Sequence, residues 1–120
     1  MECACISADI DEYSTVLFDK IVTARKEHTC DECREKIKIG DRHRVEKTLY
    51  DGEFEVFRTC LDCNSVREHL VCAFSWNCMW ELVSESLRDF GNQQPWARIG
   101  RLTPKAREKV LDIIERSWDD

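Results

Sequence analysis

No apolar run in the 120 residues approaches the roughly 20 needed for a helix to cross a bilayer, so a membrane-spanning helix is excluded. The opening stretch, MECACISADIDEYSTV, has neither a basic n-region nor an apolar h-region, and this argues against a secretory leader. Internal repeats and low-complexity tracts are also missing. Of the motifs that announce an enzyme, P-loop, G-x-G-x-x-G, G-x-S-x-G and H-E-x-x-H are absent, as is the H-x-E with P-C-x-x-C of zinc deaminases. A basic balance is lacking as well. Eighteen Lys and Arg face 24 Asp and Glu, a net charge of −6, which disfavours a surface built wholly to neutralise phosphates.

What is present in unusual quantity is cysteine. Eight cysteines in a chain expected to sit in a reducing cytosol read as metal ligands rather than disulfides. Cys30-x-x-Cys33 and Cys60-x-x-Cys63 are matched pairs separated by 26 residues. A tetrahedral zinc site needs four sulfurs at about 2.3 Å from the ion, hence about 3.8 Å from one another, and a Cys-x-x-Cys knuckle meets that spacing by folding tightly. Between the pairs lie an IKIGD turn (37–41) and two β-favouring segments, 42–49 and 53–59, on either side of Asp51-Gly52. Asp-Gly as a two-residue loop predicts a type I′ hairpin, with Leu49 opposite Phe54 and Lys47 opposite Val56. The second pair then opens a helix, whose N-terminal dipole favours thiolates.

Cys3, Cys5, Cys72 and Cys78 remain, and they are expected to form a second zinc site tying the N-terminal tail to the helical half. His28, His43 and His69 are not needed as ligands. Catalysis is not expected, because an all-cysteine shell is closed and the chain lacks the usual acid–base partners.

The expected fold class is α+β: a treble-clef-like zinc knuckle and β-hairpin over 21–71, then a helical part over 72–118, in one domain of 1–120. The first 22 residues read as irregular or extended, with 21–24 a short strand. Helices are expected from about Cys60 to Val71, from Asn77 (as N-cap) to Phe90, and from Pro104 to about Trp118, with 91–101 a loop. Charge is uneven. Residues 1–20 hold five acids against Lys20, and residues 96–109 hold Arg98, Arg101, Lys105, Arg107 and Lys109 against Glu108. The latter group is expected to be a solvated helix face.

The stretch TARKEHTCDECREKIKIGDRHRVEKTLYDGEFEVFRTCLDCNSVREHLV (23–71) resembles a family of small cysteine-rich proteins of bacteriophages and prophages. Its members share A-R-K-x-H-x-C-x-x-C, a glycine turn, a D-G hairpin and a T-C-x-x-C helix start. The resemblance implies a zinc-bound fold of phage origin in the bacterial cytoplasm, and it supplies no activity. The leading expectation is an interaction module that binds a protein partner, on the strength of the acidic balance and of Trp76, Trp80, Trp96 and Trp118. Inhibition of a host or defence factor is a sharper form of the same idea. The alternative is a small nucleic-acid-binding regulator, using Arg25, Lys26, Arg42, Arg44 and Lys47 around the knuckle and hairpin.

Overall fold

The computed structural model describes residues 6–7, 15–73 and 76–118, without the side chains of 6, 7, 72 and 73. The chain is α+β. In order, it runs β1 (Ile6–Ser7), β2 (Thr15–Thr23), β3 (His28–Thr29), β4 (Lys36–Ile37), β5 (Arg42–Tyr50), β6 (Glu53–Cys60), α1 (Leu61–Leu70), β7 (Val71–Ala73), α2 (Met79–Phe90), α3 (Trp96–Ile99) and α4 (Pro104–Trp118). β2, β5 and β6 form an antiparallel sheet in that order, β3 and β4 a small hairpin, and β1 lies parallel to β7.

The β5–β6 hairpin forms in the expected register, with Leu49 opposite Phe54 and Lys47 opposite Val56. Asp51 and Gly52 both take positive φ, 51° and 80°, as a type I′ turn requires. Two expectations for the N-terminal part need correction. Residues 15–23, expected as irregular or extended chain leading to a short strand at 21–24, form one nine-residue strand, and Val71, read as the end of a helix, opens β7 with 72 and 73, which were expected in a turn. β2 escaped notice because nearly all its side chains are exposed and a bulge between Val16 and Phe18 breaks its alternation.

α1 spans Leu61–Leu70 with Cys60 at the N-cap, and α4 follows its expected bounds. α2 begins one residue late, with Cys78 at the N-cap position. Asn77 sits at φ 72° in a left-handed turn and is not the cap; the carboxylate of Glu32, far away in sequence, accepts from the Asn77 and Met79 backbone N–H groups at 2.8 and 3.1 Å. The 91–101 loop contains the single-turn α3. Thr103 Oγ1 donates to Asp62 at 2.7 Å, which ties the start of α4 to the start of α1.

The apolar core lies among the knuckle and the helices, not under the sheet. Ile37, Val66, Leu70, Met79, Val83, Leu87, Val110 and Ile114 are its fully buried large members. Sheet and α1 meet instead through a polar layer. Glu46, 1% exposed, accepts from both terminal nitrogens of Arg67 (2.9 Å for Nη2) and from Trp76 Nε1 at 3.2 Å. Trp76 in turn stacks on Phe57 with ring centroids 4.7 Å apart. Arg44 makes a bidentate pair with Asp19 (2.9 and 2.7 Å) and donates to Asn64 at 3.0 Å.

Removing one member of such a buried pair strands the other without solvent, which costs about 3–5 kcal/mol. Glu46→Ala is therefore expected to lower unfolding free energy by that amount, read by urea denaturation at fixed zinc excess; a loss under about 1 kcal/mol would contradict the role given to Glu46. The Asp19–Arg44 pair is more exposed and contributes less. Hydrogen bonding from Arg44 holds the Asp19 carboxyl below its ordinary value. Its stabilisation is thus present above the unfolded carboxyl's pKa, about 4, and lost as pH falls through the lower folded value. Asp19→Asn should lower stability in the neutral region and flatten the acid limb of a stability–pH profile, so that the variant and the parent converge at low pH.

Candidate metal centre

Cys30 and Cys33 sit in the turn after β3. The turn is closed by Arg34 N–H to the Cys30 carbonyl at 3.0 Å and by Cys30 N–H to the Glu35 carbonyl at 2.9 Å. Arg34 takes φ 66°, the left-handed conformation that lets the chain reverse straight after Cys33. Cys60 ends β6 and caps α1, and Cys63 lies in the first helical turn, so strand and helix deliver the second pair together. The two halves are fastened by more than the sulfurs. Asp31 N–H donates to the Arg58 carbonyl at 2.9 Å, and Arg58 N–H donates to the Asp31 carboxylate at 2.7 Å.

The four Sγ atoms all lie within 4.8 Å of one another, with Cys33 and Cys60 at 3.9 Å, close to the edge of a zinc–sulfur tetrahedron. Cys30 and Cys63 are buried, Cys33 and Cys60 half-buried. Such a group can hold a metal ion such as zinc. Backbone N–H groups also point at the sulfurs: Cys60 N–H to Cys30 Sγ at 3.4 Å, and Cys63 N–H to Cys60 Sγ at 3.5 Å.

The protons of this cluster are strongly linked. Hydrogen bonds from Cys33, Cys60 and Cys63 hold the Cys30 thiol far below its ordinary value. Cys33 comes down to about 7, opposed by Cys30 and favoured by Cys60 and Cys63. Cys60 and Cys63 are pushed up, chiefly by Cys30. Two of the four thiols thus lose a proton more readily than an ordinary cysteine, and further negative charge is resisted, as like charges so close require. A divalent cation is the natural counter-charge, which fits the donor set to zinc.

Trp80 supports the cluster in a way the sequence did not reveal. Its Nε1–H donates to Cys63 Sγ at 3.2 Å, and Lys109 Nζ lies 4.1 Å from the ring centroid on α4. The 17-residue separation of Cys63 and Trp80 carries no pattern, and a tryptophan on the inner side of α2 reads as plain core. The knuckle reaches α4 directly as well, through Lys105 Nζ to Glu35 at 2.6 Å. Three of the five 96–109 cations are engaged with the protein itself: Lys105 on Glu35, Lys109 over Trp80, and Arg107 donating to the Gly100 and Leu102 carbonyls.

The second expected quartet is not brought into view. Cys3, Cys5 and the Cys72 side chain lie outside the described residues, and Cys78 is half-buried at the N-cap of α2. None of the three histidines belongs to the four-cysteine group. His28 and His43 instead face each other, with ring centroids 5.6 Å apart, beside Arg58, whose Nη1 is 2.8 Å from His43 Nε2. Burial lowers the pKa of both rings.

Outer groups that donate to metal-bound ligands typically change metal affinity 10- to 100-fold when removed. Trp80→Phe keeps the ring and loses the N–H, so zinc affinity is expected to fall about tenfold in competition with a chromophoric chelator. An unchanged affinity would reduce Trp80 to packing alone. No known protein family, no curated protein and no solved structure matches the chain. What can be said of its kind therefore rests on the four clustered thiols and on the α+β frame that assembles them.

Proposed function

We propose that the chain is a non-catalytic zinc module, in which the ion holds the fold and a surface does the work. The closure of the cluster carries this reading: four sulfurs would fill every position of a tetrahedral ion. Such a shell has no place for water or substrate, and its thiolates make the ion a poor Lewis acid. Structural zinc contributes on the order of 10–16 kcal/mol in small metal-binding peptides, comparable with the 5–15 kcal/mol that holds a whole domain.

The partner in this reading is a protein. Trp96 and Trp118, 49% and 55% exposed, meet edge to face at 6.5 Å and supply the kind of aromatic anchor that interfaces favour. Trp76 and Trp80, by contrast, are occupied within the fold. The phage and prophage resemblance of residues 23–71 supports placing the module in a bacterial cytoplasm, where inhibition of a host or defence factor is one outcome of binding. No described helix is long and apolar enough to cross a membrane. The nucleic-acid-binding alternative is favoured by a different observation, the concentration of cations beside the knuckle: Arg25, Lys26 and Arg58 line one open cleft with His28 and His43.

A second zinc on Cys3, Cys5, Cys72 and Cys78 belongs to the same proposal. Its support is the backbone register, which sets Ile6, next in sequence to Cys5, opposite Val71, next to Cys72. Zinc quantified on pure protein is expected near two ions per chain, falling to one in Cys78→Ser; one ion in both would remove the second site.

Cobalt substitution tests the main reading. A closed four-thiolate site should give an intense tetrahedral spectrum with sulfur-to-metal charge transfer, unaltered by cyanide or azide. A spectrum that shifts on adding either anion would reveal an open position and return catalysis to consideration.

A further inference from the structure

The sheet has two unlike faces. Alternation along β5 sends Arg44, Glu46 and Thr48 toward α1, while Val45, Lys47 and Leu49 face the other way. Register then places Phe18 and Lys20 of β2, and Phe54, Val56 and Arg58 of β6, on that second face. Every charged residue that these strands put there is a cation: Lys20, Lys47 and Arg58. The four acids of the same strands, Asp19, Glu46, Glu53 and Glu55, all fall on the first face. In a chain with a net charge of −6, this is a marked segregation.

The second face is also aromatic and open. Phe54 is 61% exposed, Val56 51% and Phe18 39%. Phe18 and Phe54 stand two strands apart and one side-chain repeat along, about 12 Å from strand spacings. Each ring has an ammonium at hand: Lys20 Nζ at 4.6 Å from the Phe18 centroid and Lys47 Nζ at 5.1 Å from that of Phe54. Arg58 carries the face into the cleft beside the knuckle, about 600 Å³ in volume, whose lining includes Arg25, Lys26, His28 and His43 and no carboxylate. Arg58 can only donate, so His43 Nε2 accepts from it and Nδ1 holds the proton.

We propose that this face binds single-stranded nucleic acid, with unpaired bases stacking on Phe18 and Phe54 and the phosphates following Lys47, Lys20 and Arg58 into the Arg25–Lys26 cleft. Exposed rings interleaved with cations are what a single strand requires, since every base offers a π-face and every nucleotide a charge. A duplex hides its base faces and would leave both rings idle. An acidic peptide would satisfy the cations but not the rings. The inference takes up the nucleic-acid alternative and goes beyond the protein-partner reading; it rests on that reading in one respect: the metal is structural and holds the knuckle end of the cleft.

The test uses the full zinc-loaded chain and fluorescence anisotropy with labelled oligothymidylate and oligouridylate, with zinc measured on every sample. Binding is expected to weaken with salt, with a log–log slope between about −2 and −3.5 for three to five phosphate contacts on a single strand. The double variant Phe18→Ala/Phe54→Ala should lose about 5-fold or more in affinity per ring, with the slope unchanged. Arg25→Gln/Lys26→Gln should reduce the slope by about 1.4. All four positions lie outside the core, so near-normal folding and zinc content are expected in both variants.

Three outcomes would overturn the proposal: no binding at about 50 mM salt, binding indifferent to loss of both rings, or equal competition by duplex. If the zinc-loaded chain ignores oligonucleotides yet binds a labelled polyglutamate, the face belongs to an acidic protein, and the nucleic-acid assignment falls while the module reading stands. If the folded chain holds no zinc, the module reading itself fails, and this inference fails with it.

Discussion

Four sulfurs drawn to within 4.8 Å of one another are the constraint on which the rest depends. Their charges repel unless a cation or shared protons lie among them, so assembling the cluster and binding an ion are one equilibrium. The residues between the cysteines extend that closure outward. Asp31 clamps the end of β6, Glu32 caps α2, and Glu35 reaches Lys105 on α4. One short turn thus makes separate ties to the sheet and to two helices, and Trp80 and Cys63 close the loop from the other side. Loosening the cluster would release all of these at once, which is why metal loss in such folds resembles unfolding more than ligand dissociation.

The sheet is attached differently from the helices. Helices and knuckle share an apolar core, whereas sheet and α1 share a polar layer of Glu46, Thr48, Thr59 and Asn64, all buried. A polar layer of this kind demands partners in fixed positions, so it orients the sheet rather than merely adhering to it. It also uses only one sheet face. On the other face Val45 is buried, but Phe18, Phe54 and Val56 remain exposed to water. An uncovered apolar face on a small protein weakens the fold unless binding repays it, and this links the packing to the function proposed for the chain.

What the sequence made legible follows the range of the interactions. The I′ turn at Asp51-Gly52, the two Cys-x-x-Cys pairs and the Pro104 helix are encoded within a few residues, and each appears with its expected partners or bounds. The N-terminus of α2 is not local: its acceptor is Glu32, 47 positions before Met79, so Asn77 looked like the better cap. β2 failed for the opposite reason. With both its faces largely wet and a bulge in the middle, it has no alternation to read, and its existence is decided by pairing with β5. The Trp80–Cys63 contact and the cationic cleft are likewise products of tertiary folding. The cysteine quartet was legible because metal geometry imposes a spacing on sequence; a binding face imposes none.

Net charge shows the same limit. The sum of −6 disfavours a polyanion only if charge is spread evenly, and here strand alternation sorts it by face. At physiological salt the screening length is about 8 Å, while the molecule measures 41 × 34 × 27 Å. Acids lying further than that length from the sheet face are therefore largely screened from a ligand on it. The field such a ligand meets is set by the charges within about one screening length, and on that face these are Lys20, Lys47 and Arg58. Lower salt lengthens the reach of the acidic helices together with that of the lysines, so whole-molecule repulsion and local attraction grow together. The acidic total consequently governs how readily a polyanion approaches from a distance, and the sheet face governs what it meets on arrival.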